Sequence, residues 1–474
     1  MNKQIRVVGV ISGLLVFAML ANLSLITILR EDTLQANDFN IRAREAEHDV
    51  HRGQILAGDL VIADSVESDD STAFRYQRVY PYPELYASVT GFYSYVFTST
   101  RIENSYNDYL VGSNSSQWFQ HLVDTVSGRT PQGASVVTTI SPTLQQAAWD
   151  ALKGYQGAII AMDPHTGAIK ALVSTPSWDP NLLTTHDLDD QHENWQTLIN
   201  DPRRPMADRA SREYYPPGST FKLVVAAAAL EAGYTTESLV VTPSQLHLPG
   251  TDVYLPNYAD CGNDKVTLVR ALEKSCNTSF ANLGLELGQQ ALRKQAQRFG
   301  FDADHVEELG SKGGSFPSNL DDAQLAMSSI GQFDVLANPL QMAMVVAAFV
   351  NDGQLAAPYL VQEVRAPDLT VLYRHKVETS TAVSASTAKA MQEMMVSVVN
   401  NGGGVAAAIP GVTVGGKSGT AENDPFGSQY AWFVGYALDP DLVVAVFLEH
   451  SEGTGDIWGA ANAAPIMKEV LLAR

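Results

Sequence analysis

Apolar and polar positions divide the chain into stretches of different texture. The first is an uncharged, mostly apolar run from Val7 to Leu29, preceded by Lys3 and Arg6. A membrane-spanning helix needs about 20 such residues, whereas a cleaved leader has only about 7–15 and a small-x-small site. The best small pair, Ala18 and Ala21, has the wrong spacing for cleavage. The run therefore predicts an uncleaved anchor over residues 1–30. Arg30 is followed at once by Glu31 and Asp32, so the positive-inside rule puts the N-terminus in the cytoplasm and the rest outside. No second apolar run of that length follows, and a single span is expected.

From Glu31 to Ser141 the pattern is polar and turn-rich, with "ESDDST" and the aromatic "YPYPELYASVTGFYSYVF". This segment, 31–141, reads as a membrane-proximal pedestal or interaction module with no catalytic pattern. Ser141 then suits an N-cap and Pro142 a first helical residue, with Leu144, Ala148 and Leu152 as an apolar face. "GAIIAMDPHTGAIKALVS" reads as a hairpin turning at Asp163–Gly167. "YAWFVGYAL" and "LVVAVFLEH" form a second pair turning at Asp439–Asp441. A final helix is expected over roughly 460–472. Between these β-rich ends, helices are expected near 219–232, 265–286, 321–351 and 384–399. Strands at both ends with helices between predict an α+β domain over 142–474, whose terminal strands share one antiparallel sheet beside a helical part.

Charge narrows the function. Lys and Arg number 31 against 52 Asp and Glu, giving −21, which argues against a nucleic-acid partner. "GVTVGGKSGT", Gly411 to Thr420, matches the phosphate-loop pattern through Gly411, Gly416, Lys417 and Ser418. A true phosphate loop follows a buried strand and opens a helix. Here "NNGGGVAAAIP" precedes it, and "AENDPFGSQ" and a strand follow. No nucleotide is expected. No H-E-x-x-H or similar metal pattern occurs, and neither a metal nor another cofactor is expected.

The most reactive-looking stretch is "YYPPGSTFKLVVAAAAL". Pro216, Pro217 and Gly218 force a turn, and Ser219 then starts a helix apolar on nearly every side. Lys222, three residues on, shares the face of Ser219. A lysine buried there is costly to keep charged, and its neutral amine could deprotonate the serine. The plainer alternative is a capping serine and a lysine reaching water. S-x-x-K alone is weak, since it recurs at Ser386–Lys389. That copy reads as a capping serine and a surface lysine on an amphipathic helix. What distinguishes Ser219 is an ordered set: S-x-x-K at 219–222, S-x-N at Ser275-Cys276-Asn277 and K-S-G at Lys417-Ser418-Gly419.

With these motifs the sequence resembles the class B penicillin-binding proteins, monofunctional D,D-transpeptidases of peptidoglycan synthesis. "GAIIAMDPHTGAIKALVSTPSWDPN", "GQFDVLANPLQMAMVVAAFVNDG" and "GGKSGTAENDPFGSQYAWFVGYA" look like family segments in family order. "HRGQIL" and "SYNDYLVG" look like weaker marks. The resemblance implies a penicillin-binding transpeptidase fold in which a peptidoglycan stem peptide acylates Ser219 and Lys222 is the general base. Ser275 and Asn277 would complete a proton relay, and Lys417 would set the electrostatics. Ser418 and Thr420 would grip the substrate carboxylate, and Gly419 would let the substrate approach. Backbone N–H groups of Ser219 and Thr420 would form the oxyanion hole. β-Lactams would acylate the same serine, and a membrane glycosyltransferase is an expected partner. Ser418 stands where many relatives have Thr, a swap that keeps the hydroxyl. A D,D-carboxypeptidase or endopeptidase would share all three motifs, and an inactive scaffold of the wall-building complex is a further alternative.

The only two cysteines, Cys261 and Cys276, lie outside the membrane by the orientation argument, so a disulfide between them is expected. Two separate buried thiols are the alternative.

Overall fold

The computed structural model describes residues 2–29, 47–68, 74–117, 132–262, 264–423, 428–451 and 456–474. Arg30, Glu31 and Asp32, the centre of "ESDDST", and the middle of "AENDPFGSQ" lie outside the described residues. The helix Asn2–Leu29 contains a stretch, Lys3–Ile26, long and apolar enough to cross a membrane, and this stretch is not buried in the fold.

The terminal strands do share one antiparallel sheet. Its order is Val414–Asn423, Ser428–Ala437, Leu442–Ser451, Tyr155–Met162, Ile169–Thr175. Successive side chains of a strand point to opposite faces, so a sheet covered on both sides needs apolar residues at every position. "GAIIAM" and "LVVAVFL" supply them. Ile159, Val444 and Val446 pack on one side with Leu144, Met467 and Leu471 from the helices Pro142–Ala151 and Ala464–Leu472. Ile160, Ala445 and Phe447 belong to the other core, with Lys222–Glu231 and Pro339–Val350. The latter helix is buried at every residue.

Two long helices expected from the pattern are broken. The 321–351 stretch forms Asp322–Ser328 and Pro339–Val350. Each has its own cap: Asp321 forms a capping box with Gln324, and the Asn338 side chain accepts the Gln341 N–H at 2.8 Å. The 265–286 stretch becomes a strand Lys265–Thr267 and helices Leu268–Glu273 and Asn277–Leu287. Hydrophobic periodicity carries across both breaks because the flanking helices pack into the same core. It is therefore blind to them.

The membrane-proximal part is built on a six-stranded sheet. Ile55–Ala57, Leu60–Glu67 and Tyr76–Val79 come from it, and Ser135–Thr138 pairs in parallel with the first. Val361–Arg365 and Val371–Arg374 complete the sheet from far along the chain. The pedestal and the catalytic region are thus joined by a common sheet. Side-chain contacts add to it, among them Arg101 Nη1 to Asp208 Oδ2 at 2.9 Å and Ser94 Oγ to Gln191 Oε1 at 2.7 Å.

The turn-rich segment also contains a buried ion cluster. Arg52 Nε and Arg78 Nε each donate to Glu103 at 2.6 Å, one to each carboxylate oxygen. Arg52 Nη1 reaches Asn107 Oδ1 at 2.7 Å. Arg52 comes from "HRGQIL" and Asn107 from "SYNDYLVG", so the two weaker sequence marks meet at one site.

Candidate active site

Ser219 sits in a single 3-10 turn, Gly218–Thr220, and the α-helix opens only at Lys222. The expectation that Ser219 itself starts the helix is corrected to that extent. Pro216 and Pro217 stiffen the approach, and Trp432 Nε1 donates to Pro216 O at 3.0 Å. Gly218 takes φ +51, and a Cβ there would meet Thr420 O at 2.7 Å. Only glycine lets the turn lie this close to the neighbouring strand.

That strand is Val414–Asn423, the edge of the central sheet. The phosphate-loop look-alike is therefore mostly strand, and no helix follows it. Gly419 admits the serine turn: its Cβ would meet Pro217 O and Thr220 Cγ2, each at 2.9 Å. The expected role for Gly419 was admission of substrate. The turn that bears Ser219 is a neighbour that also needs this glycine.

The second motif sits at the break in the 265–286 stretch. Ser275 adopts φ +55, a left-handed conformation uncommon for a residue with a Cβ. The chain turns there, so that Ser275 and Asn277 face the serine helix together. Cys276, between them, is bonded to Cys261 with an S–S distance of 2.03 Å and Cα–Cα of 5.9 Å. Asn277 Nδ2 donates to Pro256 O at 3.1 Å and ties the motif to the preceding loop.

These three elements bring two lysines together inside the protein. Lys222 is 0% exposed and Lys417 1%. Lys222 Nζ contacts Ser275 O at 2.8 Å, Ser275 Oγ at 3.3 Å and Asn277 Oδ1 at 2.7 Å. Lys417 Nζ contacts Ser275 Oγ at 2.9 Å and Ser418 O at 2.8 Å. Among the described residues neither lysine has a carboxylate partner. Burial, and then the charge of Lys417, pushes the Lys222 amine well below its usual value. Burial alone lowers Lys417 to about 7. A neutral amine at Lys222 is a proton acceptor, and Ser275 Oγ lies between it and the second amine.

Ser219, Ser275, Asn277, Ser418 and Thr420 line one cleft of about 560 Å³. Its walls carry exposed Tyr254, Tyr258 and Trp458. Sequence reasoning passed over these three: Tyr254 opens a strand of only three residues, Tyr254–Pro256, and Tyr258 and Trp458 lie outside helices and strands, so none sits in a run long enough to show a period. The second S-x-x-K copy lies elsewhere. Its helix is capped by Ser384, not Ser386, through the Thr387 N–H at 3.2 Å, and Lys389 is exposed. Among the described residues no group of three or more His, Cys, Asp or Glu could hold a metal.

A serine on a tight turn that lines one cleft with Ser275, the residue on which two buried amines meet, suits acyl transfer. The chain matches the penicillin binding protein transpeptidase domain over residues 157–472 and the penicillin binding protein A dimerisation domain over 52–136. It belongs to the penicillin-binding protein transpeptidase family. Among individual relatives, it is 40% identical to the peptidoglycan D,D-transpeptidase PbpA of Mycolicibacterium smegmatis, across 100% of this chain and 99% of the relative. It is 41% identical to the Mycobacterium tuberculosis PbpA, across 99% and 98%. The solved structure of penicillin-binding protein A from M. tuberculosis as a penicillin G acyl-enzyme covers 90% of this chain and 99% of its own, with a TM-score of 0.84. The corresponding ceftriaxone acyl-enzyme gives a TM-score of 0.86.

Proposed function

We propose that this protein is a serine-type D,D-transpeptidase that cross-links peptidoglycan stem peptides and is inhibited by β-lactams. The observation that carries the reading is the meeting of Lys222 and Lys417 at Ser275 Oγ, beside the turn that bears Ser219. The naming of the PbpA relatives and the acyl-enzyme structures support it.

In this reading the neutral Lys222 amine takes the proton of Ser219 as its oxygen attacks the penultimate D-Ala carbonyl. Backbone N–H groups of Ser219 and Thr420 hold the developing oxyanion. The proton passes from Lys222 through Ser275 to the departing amine, the C–N bond breaks, and D-Ala leaves. An acceptor amine from a neighbouring peptide then attacks the ester and restores Ser219. Ser418 and Thr420 hydroxyls hold the terminal carboxylate, with the charge of Lys417 behind them, and Asn277 holds the substrate amide. A β-lactam opens on the same serine, and its tethered leaving group cannot depart. The apolar N-terminal helix anchors the protein with its N-terminus in the cytoplasm and the catalytic part outside. The cross-linked strands come from a membrane glycosyltransferase acting alongside.

Labelling with a fluorescent penicillin followed by a cross-linking assay on lipid-linked substrate tests the proposal. Cross-linked dimers support it. Labelling with release of D-Ala but no dimers would make the protein a carboxypeptidase.

A further inference from the structure

The cleft is unusual for this chain in its charge. The protein carries 52 acidic residues, yet no Asp or Glu is among the described residues lining the cleft. Lys274 does line it. It is partly exposed and makes no hydrogen bond or ion pair with its side chain among the described residues. The acid next to it in sequence is engaged elsewhere: Glu273 accepts from Arg270 Nη1 at 3.0 Å and from Ser397 Oγ. Lys274 is also firmly placed. It caps the helix Leu268–Glu273 and immediately precedes Ser275, whose left-handed turn and the Cys276 bridge fix the backbone.

Lys417 already answers the terminal carboxylate of the substrate. A further cation at the wall, with no acid among the described residues that line the cleft, gives it a field suited to a second negative charge. We propose that Lys274 is a specificity-determining residue that selects peptides carrying a side-chain carboxylate in addition to the terminal one. This inference rests on the D,D-transpeptidase reading. It predicts discrimination between a carboxylate and its amide, which differ in charge and hardly at all in shape.

The test uses detergent-solubilised full-length protein and synthetic pentapeptides ending in D-Ala-D-Ala. Each carries a carboxylate side chain at its second or third position and is matched by its carboxamide, with D-Ala release as the readout. The wild type should favour the carboxylate peptide by about fivefold in kcat/KM, through KM, near the upper end for a partly exposed ion pair. Lys274→Gln should bring the ratio to about one, Lys274→Arg should keep it, and Lys274→Glu should invert it. High salt should shrink the wild-type preference. Equal use of both peptides by the wild type, or an undiminished preference in Lys274→Gln, overturns the inference. Intact-mass detection of one benzylpenicillin adduct per chain certifies the serine site in each protein. A wild type that takes up no penicillin would be a failure of the proposed function itself.

Discussion

Lys222 and Lys417 hydrogen-bond to the same atom, Ser275 Oγ, at 3.3 and 2.9 Å, and both are sealed from solvent. Two ammonium groups this close, in a medium of low dielectric, repel strongly. The pair is relieved if one of them is neutral. Both amines lie below their usual value, and Lys222 is the one nearer the serine turn in sequence. Burial first, and then the charge of Lys417, favours the neutral amine at Lys222.

A pH profile should expose this coupling. Burial and then Lys417 lower Lys222. Replacing Lys417 by Met removes the second effect, so the Lys222 value rises toward normal. The free amine is then present only at higher pH, and the rising limb of benzylpenicillin acylation should move to higher pH in Lys417→Met. A limb that stays in place or moves lower would separate the two lysines.

Lys417→Ala should also slow acylation by about a hundredfold or more, the scale found when one preorganised electrostatic group is removed. The same residue belongs to the phosphate-loop look-alike. Calorimetry of the full chain with Mg-ATP should nevertheless give no binding heat, because its backbone here is an edge strand of a sheet. Micromolar ATP binding lost in Lys417→Ala would reverse this view.

The acylation site should map to Ser219 alone. Ser386 lies on an exposed helix start with Lys389 turned to solvent, outside the cleft that Ser219 lines. Intact mass after benzylpenicillin should rise by one adduct, lost in Ser219→Ala and kept in Ser386→Ala. An adduct surviving Ser219→Ala would refute the assignment.

The motifs were legible because they are short and ordered, and the terminal hairpins because both sheet faces are apolar. The Ser275 turn was not, since an apolar repeat runs across it and only the backbone conformation reveals the break. Ser219's exact place before the helix was hidden for the same reason. Tyr254 lies in a strand of three residues and Tyr258 and Trp458 outside any helix or strand, runs too short to show a period. The Arg52–Glu103–Arg78 cluster escaped because its members are scattered over a segment whose polarity looks like simple solvation.

That cluster yields a stability prediction. Burial alone would raise the Glu103 carboxyl, but the charges of Arg78 and then Arg52 outweigh it and hold the group below its usual value. Its contribution is therefore present above about pH 4.5, its ordinary value, and is lost as pH falls through the lowered one. Glu103→Gln leaves two buried guanidiniums with no counter-charge and should destabilise by about 3–5 kcal/mol. Chemical denaturation at pH 7 checks this. A loss below about 1 kcal/mol would mean that the arginines find other partners.

The bridge between Cys261 and Cys276 should matter more for chemistry than for stability. It closes a loop with a sequence separation of 15, worth about 3 kcal/mol in the chain-entropy model. Much of the local fold has other support. Asn277 reaches Pro256 O, and the Thr278 N–H reaches Asn257 Oδ1 at 3.0 Å. Cys276, however, lies between Ser275 and Asn277, the two residues that hold Lys222 Nζ. Ser275 is in a left-handed conformation that an unrestrained chain would leave. Cutting the bridge should let this turn relax and lengthen the Lys222 contacts. Reduction, or the double variant Cys261→Ser with Cys276→Ser, should slow acylation of Ser219 by tenfold or more while lowering Tm by only a few degrees. Thiol titration of the denatured, unreduced protein is the prior check and should find no free thiol. Two free thiols would rule the bridge out. An unchanged acylation rate after verified reduction would show that the hydrogen bonds to Pro256 and Asn257 hold the motif without it.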